Sequence, residues 1–180
     1  MNGVVKAVAR DAGHNFSKPV CDSINVVTGL GVEGDAHFGR LVQHLYRIKK
    51  DPSVPNLRQI HLIHSELHDE LRDKGFDILP GDMGENITTQ GVDLLGLPCG
   101  TILKIGEDAA IKITGLRNPC YQLNDFRDGL MTACLAKADD GSVIFKSGIM
   151  GVIVKDGTVK PGDQICVELP NEPHMPLELV

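Results

Sequence analysis

The chain has 180 residues, 42% hydrophobic and 23% charged, the make-up of one ordinary globular domain with a single sizeable core. That composition excludes a disordered or fibrous chain, and a net charge of −6 argues against general binding to nucleic acid or anionic membrane. With 20 glycines and 10 prolines, many turns and short strands are expected rather than long helices.

The N-terminus, Met1-Asn2-Gly3-Val4-Val5-Lys6, has no apolar signal-peptide region. No apolar run approaches the roughly 20 residues that span a bilayer, so a cytoplasmic protein is expected. No linker, charge block or low-complexity stretch marks a second domain.

The first motif is Gly29-Leu30-Gly31-Val32-Glu33-Gly34-Asp35-Ala36-His37-Phe38-Gly39. It lacks the Lys-Ser/Thr of a phosphate-binding P-loop and does not match G-x-G-x-x-G before a helix. It reads as a sharp turn that brings backbone amides and His37 together. An irregular segment follows from Phe38 to Leu57, with Arg40, Arg47, Lys49, Lys50 and, just beyond, Arg58. Loops of that length are often functional or mobile.

Gln59 to Ile63 predicts a short strand. Ser65 to Lys74 predicts a helix, with Ser65 as N-cap, Leu67 and Leu71 one turn apart, and Glu70–Lys74 as an i,i+4 pair. Gly75 suits the left-handed position after its end. His61, His64 and His68 would share one face of a single helix and suggest zinc. The helix start at Ser65 leaves His61 on the strand, and surface or satisfied core histidines are the simpler reading.

Between Pro80 and Asp93, Gly81 and Gly84 lead into Glu85-Asn86 and then Thr88-Thr89 on a short strand. Asparagine, threonine and free amides at a strand start suit an anionic or heterocyclic ligand. The plainer alternative is a Gly-rich turn in which Asn86 satisfies local backbone groups.

Thr101–Ile105 and Ala110–Thr114 predict a hairpin, and Gly129–Lys137 a short helix. Gly151–Val154 and a last strand carrying Ile165, Val167 and Leu169 follow, punctuated by Lys155-Asp156-Gly157 and Pro161-Gly162. The pattern Gly100-Thr101-x-Leu103-x-Ile105 is echoed by Gly162-Asp163-x-Ile165-x-Val167. A mainly β, mostly antiparallel barrel with two or three short helices outside it is expected.

Five cysteines, Cys21, Cys99, Cys120, Cys134 and Cys166, form no C-x-x-C pair, so no zinc ribbon or thioredoxin-type motif is available. In a reducing compartment they are thiols. Cys120 alone follows a proline, Pro119, with Arg117 three residues before it. A cation near sulfur favours the thiolate, which binds metals or accepts sulfur. A buried structural cysteine is the alternative, and the residues leave both open.

These pieces, in order, resemble the MOSC domain, the C-terminal domain of molybdenum-cofactor sulfurases, which also occurs as stand-alone bacterial proteins. The resemblance rests on Gly31 to Asp35, Asn56 to Arg58, Gly84 to Thr89, Arg117 to Asn124 and the strands from Gly148 to Glu168. It implies a closed antiparallel β-barrel over residues 1–170, leaving 171–180 as a C-terminal tail. It implies a molybdenum cofactor of the molybdopterin type, with Cys120 as metal ligand and catalytic residue. Arg58, Asn86, Thr88 and Arg117 then fall at cofactor-binding positions. The segment from Phe38 to Pro55 lies outside the resemblance, and His37 beside it and His44 within it stay candidates.

The implied activity is reduction of small N-hydroxylated compounds such as hydroxylaminopurines, with electrons from a separate donor protein. The alternative is a persulfide sulfur carrier or cofactor-delivery module using Cys120, served by a sulfur donor. No pyridoxal phosphate site, nucleic-acid partner or membrane partner is expected.

Overall fold

A computed structural model of the chain describes residues 2–180. It opens with β1 (Asn2–Ala9), β2 (Val20–Cys21), β3 (Ile24–Val27) and β4 (Gly31–Val32). Next come α1 (Leu45–Lys50), β5 (Ile60–His64), α2 (Ser65–Asp73) and β6 (Ile87–Gln90). The hairpin β7 (Ile102–Ile105) and β8 (Ala109–Leu116) leads to α3 (Gln122–Phe126) and α4 (Leu130–Ala133). The chain ends through β9 (Leu135–Lys137), β10 (Val143–Phe145), β11 (Ile149–Lys155), β12 (Gly157–Val159) and β13 (Gln164–Glu168).

Seven strands close a barrel in the order β1, β13, β7, β8, β11, β5, β6 and back to β1. The two segments that echo each other in sequence, β7 and β13, are neighbours, with Leu103 opposite Val167. Every barrel pairing is antiparallel except β5–β6, where Leu62 pairs with Ile87 in parallel. The reason is connection: β5 returns to β6 through α2, and parallel strands need such a crossover. The interior is filled by aliphatic side chains, among them Val5, Leu62, Leu103, Ile111, Ile149 and Ile165.

A second, smaller core lies outside the barrel. Ile63, Leu67 and Leu71 meet Met83, Leu123, Leu130 and Cys134, so α2, α3 and α4 share one apolar seam. The α2 helix ends one residue short of its predicted range, and its N-cap is His64 rather than Ser65, which is already helical. Gly75 has φ +88°, the left-handed conformation expected after a helix end.

Among the described residues there are four short helices where two or three were expected. The sequence pattern marks two of them, α2 and α4; α1 falls in the irregular segment and buries no residue, and the five-residue α3 buries only Leu123, so no apolar stripe announces either. The predicted helix over 129–137 stops at Ala133, and β9 takes the rest. Turn chemistry decides this: Asp140 Oδ1 accepts from the Ser142 N–H at 2.9 Å and Gly141 has φ +84°, which sets the β9–β10 hairpin. At the C-terminus, residues 178–180 meet the end of β8, where Leu116 N–H donates to Glu178 O at 2.7 Å and Val180 N–H to Leu116 O at 3.3 Å. Among the described residues, no helix is long and apolar enough to cross a membrane.

Candidate functional site

One mouth of the barrel gathers the segment after β1, the starts of β5 and β6, and the end of β8. Backbone hydrogen bonds lock them together: Ala9 N–H to Asn86 O, Asn86 N–H to His61 O, and Arg117 N–H to Gly148 O, all within 2.8–2.9 Å. Two glycines permit the close approach. A Cβ on Gly81 would stand 2.2 Å from Lys18 O, and one on Gly84 2.5 Å from Phe16 O. Both glycines also have positive φ, so no other residue fits without strain. The resulting cleft encloses about 250 Å³, just under the roughly 300–1,000 Å³ usual for small-molecule pockets.

Its floor is a buried ion pair. Lys18 Nζ meets Asp35 Oδ2 at 2.6 Å. Asp35 also accepts from Asn86 Nδ2 at 2.9 Å, from His37 N–H at 3.0 Å and from His37 Nδ1 at 3.1 Å. Burial opposes the charge on Asp35, but the bonds from His37 and Lys18 prevail and hold the carboxyl well below its usual range. Burial likewise lowers Lys18, against the pull of Asp35.

The walls are basic. Arg58, Arg117, His37, His44 and His61 line the cleft together with Lys18. Arg117 is buried, at 8% exposure, with its guanidinium 5.8 Å from the Phe16 ring centre. Arg58 Nε, Arg117 Nη1 and His44 Nδ1 are buried and have no partner among the described residues. Burial, with Arg47 and Arg117 nearby, brings Arg58 down to about 10, so it stays cationic at neutral pH. Burial and Arg58 push His44 down to about 2, and burial with Arg117 keeps His61 well below its ordinary value. Within a chain of net charge −6, this is a local cationic basin.

Cys120 lies at its edge. Arg117 Nη2 points at Sγ from 4.0 Å, and the thiol donates to Gln122 Oε1 at 3.4 Å. Gln122 lines the cleft, and Cys120 is half-buried. Cys134, by contrast, is enclosed in the helical core, and burial pushes its thiol up to about 11. That removes Cys134 from thiolate chemistry at neutral pH.

Of the residues singled out from sequence, Arg58, Asn86 and Arg117 line one cleft and Cys120 adjoins it through Arg117. Asn86 is fully engaged inward: Oδ1 accepts from His61 N–H at 3.1 Å, and Nδ2 donates to Ala9 O and Asp35. Thr88 does not line the cleft; its hydroxyl donates to Glu85 Oε1 at 3.1 Å in the interior. Asn86 thus ties the floor in place, whereas Thr88 is tied to Glu85. Lys18, His14 and Phe16 also line the cleft, and sequence reasoning passed over them because they sit on a loop without periodicity. The signal that points to Lys18 is Asp35 itself, an acid within a glycine turn that needs a counter-ion once buried.

A model of the MOSC domain family matches residues 33–166. Among solved structures, the YUAD protein from Bacillus subtilis is similar over 95% of this chain and 98% of its own, with 24% identity and a TM-score of 0.78. YiiM from Geobacillus stearothermophilus matches over 96% of this chain and 77% of its own, at 18% identity and a TM-score of 0.66. YiiM from Escherichia coli matches over 97% and 73%, at 21% identity and a TM-score of 0.60. At these identities the likeness is one of fold. No curated protein matches the sequence. With the family's model running through most of the barrel and the cleft at its mouth, the chain belongs to the MOSC domain family.

Proposed function

We propose that this MOSC-domain protein binds a molybdenum cofactor in the basic cleft, with Cys120 as metal ligand, and reduces small N-hydroxylated compounds. The observation that carries this reading is a pair of guanidinium groups beside a thiol, each with one buried nitrogen that has no partner among the described residues. Arg58 Nε and Arg117 Nη1 are buried donors without acceptors, and leaving such groups unpaired is costly unless a ligand completes them. A phosphate-bearing anion fits them, because guanidinium holds phosphate by directed, charge-assisted hydrogen bonds. Cys120 Sγ, 4.0 Å from Arg117, supplies the soft donor that a thiophilic metal takes.

When bound, the cofactor supplies two-electron redox chemistry at its metal. The chain's own residues bind the anionic end through Arg58 and Arg117 and hold the floor through Lys18, Asp35 and Asn86. Thr88 acts indirectly, through Glu85, whose Oε1 also accepts from the Gly81 N–H at 2.7 Å. The overall change is R–NHOH plus two electrons and two protons giving R–NH2 and water. The electrons come from a separate electron-donor protein and the protons from solvent.

The test is joint metal, pterin and sulfur analysis of protein purified from a molybdenum-replete host. Co-purifying pterin with molybdenum supports the cofactor site. Cyanide-labile sulfur on Cys120 without metal would replace this reading with that of a persulfide carrier.

A further inference from the structure

Lys18, Arg58 and Arg117 give the cleft a cationic, donor-rich lining. Among the neutral side chains that share it, His37 is the one whose tautomer the surrounding bonds fix. Its Nδ1 sits 3.1 Å from Asp35 Oδ1, and its backbone N–H donates to the same oxygen at 3.0 Å. Asp35 is an anion held by Lys18 and Asn86, so it only accepts, and the proton of a neutral His37 ring therefore resides on Nδ1. That leaves a lone pair on Nε2. Among the described residues nothing hydrogen-bonds this nitrogen, and the side chain keeps 21% of its surface exposed in the cleft.

We propose that Nε2 of His37 is the acceptor for the N–O–H hydroxyl of a hydroxylamine-type substrate, with Asp35 and Lys18 as its positioning residues. The proposal rests on the reading of the cleft given above and names the substrate contact within it. Asn56 fixes the loop as well, donating through Nδ2 to His37 O at 2.9 Å and to Gly39 O at 3.0 Å. The groups facing the ring are Asp35, Lys18, His14 and His44, whose rings lie 5.7 Å and 4.5 Å from it, centre to centre. Burial, aided by Lys18 and His14, outweighs Asp35 and keeps His37 below its ordinary value, so the acceptor form prevails at neutral pH.

An acceptor in a donor-rich cleft selects for a ligand that carries its own proton. The amine product has lost the hydroxyl and with it this bond, which favours its release. An O-methylated substrate analogue keeps the shape and has no proton to give. A site built to bond a substrate hydroxyl discriminates against a ligand that lacks it.

The experiment compares wild type, His37→Gln and His37→Leu. Equilibrium binding of a hydroxylaminopurine and of its O-methyl analogue is measured on the oxidised, cofactor-loaded proteins, with molybdenum per chain determined in parallel. The wild type is expected to prefer the hydroxyl ligand by roughly tenfold. His37→Leu loses that preference at unchanged molybdenum content, and His37→Gln keeps part of it through its amide oxygen. Nitrogen-15 spectra of the cofactor-free wild type should show the His37 proton on Nδ1. An intact preference in His37→Leu, or loss of molybdenum from it, overturns the proposal, as does a proton on Nε2. Absence of molybdenum from the wild type counts against the cofactor site instead. The ligand comparison on cofactor-free protein then decides the role of His37 by the same preference.

Discussion

Lys18 and Asp35 meet at 2.6 Å beneath the cleft with side chains only 4% and 1% exposed, which makes them the interior charge pair on which the site is built. Removing one partner from such a pair leaves a buried charge uncompensated, at a cost of about 3–5 kcal/mol. Asp35→Asn is therefore expected to lower unfolding free energy by that order in urea titrations. It should also release His37 from its single tautomer. The double variant Lys18→Met with Asp35→Leu should recover part of the loss, since no lone charge remains. Recovery stays partial because Asp35 also accepts from Asn86 and His37. Stability of Asp35→Asn within about 1 kcal/mol of wild type would remove the pair from this role.

Arg117 presents the opposite case, a buried cation kept for binding rather than for stability. Among the described residues no carboxylate lies within ion-pair distance of it, and Nη1 has no partner. Arg117→Met is expected to leave the cofactor-free protein as stable as wild type or more so, by about 1–3 kcal/mol. The same change should weaken cofactor affinity tenfold or more, roughly the worth of one buried charge-assisted bond. Arg58→Ala should weaken affinity similarly. Moderate salt should alter the Arg117 contribution little, because a sheltered contact is poorly screened. Unchanged affinity in both variants would take the arginines out of the site.

Acidification tests the buried histidines. His37, His44, His61, His64 and His68 are all lowered by burial, so the unfolded chain binds more protons than the folded one below pH 6.5. Stability then falls as pH falls, by up to about 1.4 kcal/mol per pH unit for each histidine still neutral in the fold. Asp35 has the opposite timing: its contribution persists through this window and is lost only below the ordinary carboxylate range. Denaturant midpoints measured from pH 7.5 to 5 should drop steeply. A flat profile would mean that these rings are solvated.

Several strands were legible in sequence where turns framed them, though the three-residue β9, β10 and β12 were too short to show a period. Gly106 to Ala109, Pro161-Gly162 and the alternation at Ile165 and Val167 marked β7, β8 and β13. The parallel β5–β6 pairing was not legible, because it depends on where α2 packs rather than on either strand's pattern. The first strand, β1, also escaped: Ala7 and Ala9 blur its alternation, and a bulge between Val5 and Ala7 shifts its register. Arg117 and Cys120 stand three residues apart, so their contact follows from local geometry. The cleft's remaining side chains converge from separate loops, and only the closed barrel places Lys18 under Asp35 or His37 beside His44.

The cofactor assignment is tested most directly by molybdenum per chain in wild type, Cys120→Ser and Cys134→Ser, each expressed in a molybdenum-replete host and checked for folding. Serine keeps the volume of cysteine but replaces a soft ligand with a hard one. Wild type should carry about one molybdenum per chain and Cys120→Ser close to none, at a nearly unchanged melting temperature. Cys134→Ser should keep its metal and melt lower, because its hydroxyl is buried in the helical seam. Molybdenum at the wild-type level in Cys120→Ser would contradict the assignment.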